Sequence, residues 1–174
     1  MEADGGRDMP DRPASCYRYF DTPAYTRRKY IRGVPGSKIT KFDYGDPKGD
    51  FPVLVRLIPL ETGQIRHNAL EAARVIATKA MSVALGDTGY HLKVRTYPHQ
   101  VLRENKMMAF AGADRLQDGM RRSFGKPCGT AARVDALQPI IDLKVPAGKR
   151  KEARYALSLA CAKMPMPCRV IDVK

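Results

Sequence analysis

Between residues 68 and 85 the apolar positions fall at spacings of three and four: Leu70, Ala73, Ala77, Ala80, Met81 and Ala84. That repeat puts side chains on one face of a helix. Asn68 stands where an N-cap is wanted, and Glu71, three positions on, would complete a capping box. Gly86 follows the last periodic residue, where a left-handed terminating residue belongs. Small alanines along the face imply close packing against a sheet.

The period then changes to two. Tyr90, Leu92, Val94 and Thr96 alternate with His91, Lys93, Arg95 and Tyr97, the pattern of a strand with one core face and one polar face. Lys38 to Tyr44 is short and β-rich. Asp43 to Asp50 holds Gly45, Pro47 and Gly49 and reads as a turn. Phe51 to Pro59, Ala131 to Leu137, Pro139 to Val145 and Cys168 to Val173 read as further strands. In Pro139 to Val145, Ile141, Leu143 and Val145 alternate with Asp142 and Lys144. A second helix is predicted from Gly148 to Met164, with Ala153, Leu157, Ala160 and Met164 on one face and Pro165 and Pro167 beyond it. Lys149, Arg150 and Lys151 in its first turn oppose the helix dipole unless an anion lies nearby. The predicted order, β-β-α-β-long loop-β-β-α-β, gives an α+β domain. Two helices pack on a mainly antiparallel sheet of about six strands.

Two segments fit neither period. Residues 12–41 hold eight cations (Arg12, Arg18, Arg27, Arg28, Lys29, Arg32, Lys38, Lys41) against Asp21 alone, interleaved with Tyr17, Tyr19, Phe20, Tyr25 and Tyr30. Pro13, Pro23, Pro35, Gly33 and Gly36 interrupt any helix. The reading is a basic arm over 12–37 whose cations neutralise phosphates and whose rings stack on unpaired bases. The competing reading is a solvated loop whose tyrosines pack on their own domain. Within 99–130, Gly112, Gly119, Gly125 and Gly129 are scattered among Arg103, Lys106, Arg115, Arg121, Arg122 and Lys126. A long stretch without a period inside a domain is usually functional or disordered. A Gly-hinged cationic loop is predicted over about 103–126. Residues 1–11 read as a mobile tail, and 12–174 as a single domain.

Lysine and arginine number 31 against 18 acids, a formal charge of +13, while 44% of residues are hydrophobic. The hydrophobic share excludes wholesale disorder. The charge favours a polyanionic partner, nucleic acid before membrane, since no basic amphipathic helix or lipidation site accompanies it. Apolar runs are far short of a membrane span, and the polar N-terminus lacks a signal-peptide core, so a soluble cytoplasmic protein is expected. Cys16, Cys128, Cys161 and Cys168 form no metal-binding pair and are expected to be free thiols; His67, His91 and His99 form no spaced ligand pair. Catalytic chemistry is not indicated. Gly119 to Pro127 resembles a phosphate loop at a glance, but five residues separate its glycines and Pro127 stands where Ser or Thr would bind magnesium. Cys128 and Ser123 lack any nucleophile signature. No catalytic residue, metal or cofactor is expected.

The run from Asn105 to Thr130, NKMMAFAGADRLQDGMRRSFGKPCGT, resembles the central signature of the large-subunit ribosomal protein family called L-ten-e in archaea and eukaryotes, the counterpart of bacterial L-sixteen. Cys16-Tyr-Arg-Tyr19, Arg32-Gly-Val-Pro35, Leu70-Glu-Ala-Ala-Arg74 and His91-Leu-Lys-Val-Arg95 match it in the family's order. The resemblance spans roughly residues 12–170, and the ending at Lys174 favours an archaeal source. It implies an α/β-hammerhead-like fold and a structural, non-enzymatic role on 23S-type rRNA, near the A-site tRNA and the peptidyl-transferase centre. It further implies A-site and P-site tRNA, neighbouring large-subunit proteins and, as a further candidate, 5S rRNA as partners, with no membrane. On this reading Arg18, Tyr19, Arg27, Arg28, Lys29, Arg32, Lys93, Arg95 and Arg103 bind rRNA. Lys106, Arg115, Arg121, Arg122 and Lys126 line the loop facing tRNA and the catalytic centre. The position of the arginine hydroxylated in the bacterial relative falls near Ser123, so that modification is not carried over. The alternatives are a detachable basic translation or ribosome-assembly factor and a small RNA-directed enzyme using the loop as a lid.

Overall fold

The computed structural model describes residues 12–105, 120–121 and 123–173. The mobile tail expected over 1–11 lies outside them, as do most of the expected loop and its Lys106, Arg115 and Arg122. The elements run β1 (Asp43–Gly45), β2 (Val53–Pro59), β3 (Gly63–Arg66), α1 (His67–Leu85), β4 (His91–Val94), β5 (Gln100–Glu104), β6 (Lys126–Val134), β7 (Ile141–Val145), α2 (Arg150–Cys161) and β8 (Cys168–Val173). Short 3-10 turns at Ala14–Tyr17 and Arg28–Tyr30 precede them. The expected α+β architecture is present, but with eight described strands in two antiparallel sheets rather than six in one. A five-stranded sheet has the order β1-β4-β7-β2-β8, and a three-stranded sheet the order β3-β6-β5.

The two helices join the sheets into one core. Leu70, Ala73, Ala77 and Met81 of α1 are fully buried, as are Ala153, Ala156, Leu157 and Ala160 of α2. Alanines on both facing stripes let the helices approach closely, so the stripe read from the sequence serves helix–helix contact as much as helix–sheet contact. The core is completed by Val55 and Leu57 of β2, Leu92 and Val94 of β4, Ile141, Leu143 and Val145 of β7, and Ile65, Ala132 and Val134 of the smaller sheet.

Several local expectations change. Helix α1 begins at His67, straight from β3, with Arg66 at the N-cap and no side-chain cap. Asn68 Oδ1 accepts from the Ala69 amide at 2.8 Å, and Glu71 is taken by Arg74, whose Nε donates to it at 2.8 Å. The capping box does not form because the helix starts two residues earlier than the motif demands, with Arg66 and not Asn68 at the N-cap. Gly86 does terminate α1, at φ +73°, with its amide on the Ser82 carbonyl. Strand β1 is shorter and later than the predicted 38–44 segment. Strand β3 is an element the hydrophobic pattern does not predict, and β6 begins at Lys126, inside the stretch read as loop. Pro127 is tolerated in β6 because it faces Arg103 where the β5 register shifts, and β3 pairs with β6 only from Ala131 onward.

Helix α2 ends its packing on β8 through charge. Asp172 Oδ2 accepts from both Arg150 and Arg154, the latter at 2.7 Å. The Arg150 hydrogen bond, more than the Arg154 one, holds this carboxyl below its ordinary range. A depressed carboxylate contributes stability above its unfolded pKa and loses it as the pH falls through the folded value. The expected result is that Asp172→Asn flattens the fall in Tm between about pH 5 and pH 2 relative to the parent. Parallel slopes by thermal melting would show the triad to be solvated and inert.

Candidate nucleic-acid interface

The arm is strapped onto the smaller sheet. The Arg18 carbonyl accepts from the Gln64 amide on the β3 edge at 2.8 Å, and the Tyr25 carbonyl accepts from the Val101 amide on the β5 edge at 2.9 Å. Between them the chain crosses the sheet face. Arg133 of the central strand donates to the Thr22 and Pro23 carbonyls at 2.7 and 3.2 Å and lies 4.3 Å from the Phe20 ring. The strap thus covers both edges of a sheet that would otherwise offer unpaired backbone. Tyr17 donates to Glu104 at 3.0 Å; burial, then this hydrogen bond, pushes its phenol well above the ordinary value.

Beyond the strap most of the chain is exposed, although Ile31 and Ile39 are buried. Arg27, Arg28, Lys29 and Arg32 all stand on the surface, as do Tyr19 and Tyr30, 64% and 73% accessible. The packing reading of the arm's aromatics holds for Tyr17, Phe20 and Tyr25, which contact their own domain, while Tyr19 and Tyr30 face water beside cations. Arg18 lies 5.3 Å from the Tyr19 ring and is paired with Glu61 at 2.5 Å. Arg28 reaches the Pro98 carbonyl at 3.5 Å.

The second surface is the face of the five-stranded sheet that alternation turns away from the core. Asp43, Lys93, Asp142 and Arg56 stand in register across β1, β4, β7 and β2, and His91 pairs with Lys144 in the next row. Asp142 is the anchor. Read as an outward residue, it is in fact 6% exposed and accepts from Arg56 Nε at 3.1 Å and Arg95 Nη1 at 3.0 Å. One carboxylate thus fixes two guanidiniums side by side. Lys93 sits 3.6 Å from Asp43. His91, also expected outward, is buried at 8%, and its Nε2 stands 3.4 Å from Asp43 without a hydrogen bond. His91, Lys93, Arg95, Asp142 and Lys144 line a concavity of about 420 Å³. Just past β4, exposed Tyr97 packs between Phe42 and His99, ring centroids 5.3 and 4.7 Å away. Fixed cations beside a presented ring suit phosphate and base contact together. Arg56, Lys144 and Asp142 are site residues that the sequence reading does not single out. Cross-strand register, which a single sequence does not specify, is what brings them to Lys93 and Arg95.

Arg103 has a different place from the other predicted cations. It lies in β5, with its guanidinium 4.6 Å from the Tyr25 ring and 3.1 Å from the Phe124 ring, and donates to the Phe124 carbonyl at 3.0 Å. It clamps the arm to the foot of the 105–125 connection. Gly125, at φ +75°, lets that foot turn where a Cβ would lie 2.6 Å from the Glu104 carbonyl carbon. Arg121 and Lys126, the described remainder of the predicted loop set, are exposed. Among the described residues no helix is long and apolar enough to cross a membrane, and no three His, Cys, Asp or Glu residues gather as a metal site. Burial pushes the Cys168 thiol up to about 12.

The chain as a whole is similar to known proteins. A family model described as ribosomal protein L16p/L10e matches residues 20–171. The large ribosomal subunit protein uL16 of Staphylothermus marinus is 56% identical over 163 residues, covering 94% of each chain. Its namesakes in Metallosphaera sedula and Hyperthermus butylicus are 56% and 53% identical over 167 residues, covering 95% and 93% of each chain. A family match over most of the sequence, together with archaeal relatives aligned nearly end to end, places this chain in the L16p/L10e family of large-subunit ribosomal proteins, structural and non-enzymatic constituents of the cytoplasmic ribosome.

Proposed function

We propose that the protein holds 23S-type rRNA between two basic surfaces, the exposed arm and the outer sheet face, close to the A-site tRNA and the peptidyl-transferase centre. The cations left on the 105–125 connection face the P-site tRNA. The observation that carries this reading is the pair of guanidiniums fixed by the buried Asp142. Arginines ordered before binding lose less freedom on meeting a phosphate, and they stand beside Lys93, Lys144 and Tyr97. Backbone and shape contacts dominate over base reading, because folded RNA hides most base edges. The protein supplies no reacting group; it positions RNA, and positioning alone lowers a barrier.

The arm gives the test. Arg27, Arg28 and Lys29 are exposed, so replacing all three with alanine leaves the fold intact. The expected result is a log K against log salt slope for an rRNA fragment that flattens by about 2–3 units, since each neutralised phosphate contributes about 0.7–0.9. An unchanged slope in filter binding would remove the arm from the RNA.

A further inference from the structure

A cavity of about 280 Å³ opens where the arm, β3, the first turns of α1 and the chain after α2 meet. Ala14, Ala72 and Met164 are among its apolar walls, and Gln64, Arg66 and Lys163 among its polar ones. We propose that this cavity receives one unpaired nucleotide of rRNA, its base against the apolar wall and its phosphates beside Arg66 and Lys163. The inference rests on the rRNA-binding reading above and adds a base-holding site to it.

Three observations carry it. Both charged residues on the lining are cations, and no carboxylate lines the cavity among the described residues, so the charge complements a phosphodiester. The Arg66 guanidinium lies 5.2 Å from the Tyr17 ring. A planar cation beside an aromatic is the kind of surface on which splayed-out bases stack. Gln64 is 6% exposed; its Nε2 donates to the Tyr17 and Tyr19 carbonyls at 3.3 and 3.4 Å, while its Oε1 has no partner. The two carbonyls fix which way the carboxamide points, and the remaining oxygen is an acceptor suited to the amine or imide hydrogen of a base edge. The mostly apolar lining would hold a base by its faces, while the polar groups select for its edge and its backbone.

The test uses assembled large subunits carrying p-benzoylphenylalanine at Ala72, an exposed α1 position on the cavity wall. On irradiation, the site predicts a cross-link to rRNA that maps by reverse-transcription stops to one or two unpaired nucleotides. A cross-link to another protein or back onto this chain, or none at all, overturns it. In parallel, subunits carrying Ala72→Trp, which fills the cavity, should show a rise of about fivefold or more in dimethyl sulfate reactivity at the same nucleotides, as expected when a stacked base is released. Lys163→Ala, an exposed change, should raise it at the same place. Unchanged reactivity in both variants overturns the site. Variants that still co-sediment with the subunit while losing the cross-link or its footprint would separate this inference from the broader one: failure of the parent chain to co-sediment is what would sink rRNA docking itself.

Discussion

Removing residues 107–120 and closing the gap with two glycines is expected to leave the melting transition of the isolated protein within about 4 °C of the parent, a change of roughly 1 kcal/mol for a chain of this size. The same deletion is expected to cut peptide synthesis by ribosomes that carry it on the order of ten- to hundredfold, the scale set by losing alignment of reacting groups. The stability half rests on the ends of the connection. Glu104 and Lys126 are already paired across β5 and β6, and Arg103 grips the Phe124 carbonyl, so the ladder closes below the cut. The first retained residue after it, Arg121, is exposed, and Met120, the last one removed, is 85% accessible. Shortening a closed connection itself favours folding by about 1 kcal/mol or less. The functional half rests on reach and not on net charge: the cut takes Arg115 together with Asp114 and Asp118, so the formal charge rises from +13 to 30 − 16 = +14, while the connection proposed to face tRNA loses most of its length. Calorimetry on the protein and poly-phenylalanine synthesis by reconstituted, sedimentation-purified ribosomes give the two readings. A collapsed melting transition would mean that 107–120 belongs to the core; undiminished synthesis would mean that it reaches no tRNA.

The sequence discloses most where one period rules a whole element. In α1 the stripe is buried at Leu70, Ala73, Ala77 and Met81 as read, although Ala84 at its end is exposed; the apolar faces from Tyr90 to Thr96 and from Ile141 to Val145 also lie in the core, where the polar His91 and Asp142 join them against expectation. It discloses least where an element is short or its partners are distant. Strand β3 is four residues long, starts with glycine and buries a glutamine, so neither length nor hydrophobicity marks it. It exists because β6 lies beside it and the arm lies over it. The start of β6 is hidden by Gly125, Pro127 and Gly129, residues that read as loop and are here absorbed by a register shift. The predicted cations Lys93 and Arg95 are where alternation puts them. The carboxylate that organises Arg95 lies 47 positions away, and the second guanidinium it holds lies 86 positions from that carboxylate. No local pattern encodes such a meeting; it is a product of strand order.

That meeting can be broken at one atom. Asp142→Asn keeps the shape and removes the charge that holds Arg56 and Arg95. Severing a fully buried ion pair costs about 3–5 kcal/mol, and an exposed one about 0–1. Here the acid's side chain is 8% exposed, while the arginine side chains are 30% and 46% exposed and swing into water once released. A loss of about 1–2 kcal/mol is expected, a fall in Tm of about 2–8 °C for this chain length. The effect on RNA separates two roles for the acid. Net charge rises from +13 to +14, because one of the 18 acids is gone and 31 − 17 = 14, so if Asp142 merely offset charge, every RNA would bind more tightly. If it fixes the guanidiniums, two long side chains must be ordered at the moment of binding, at about 0.5–1.5 kcal/mol each. Affinity for the folded rRNA fragment then falls by about five- to hundredfold, while affinity for unstructured poly-uridine holds or rises. Titrating both RNAs against parent and variant at one salt concentration gives the ratio directly. A parallel gain on both would reduce Asp142 to a neutralising charge; opposite shifts would establish that this face is built in advance for the shape it meets.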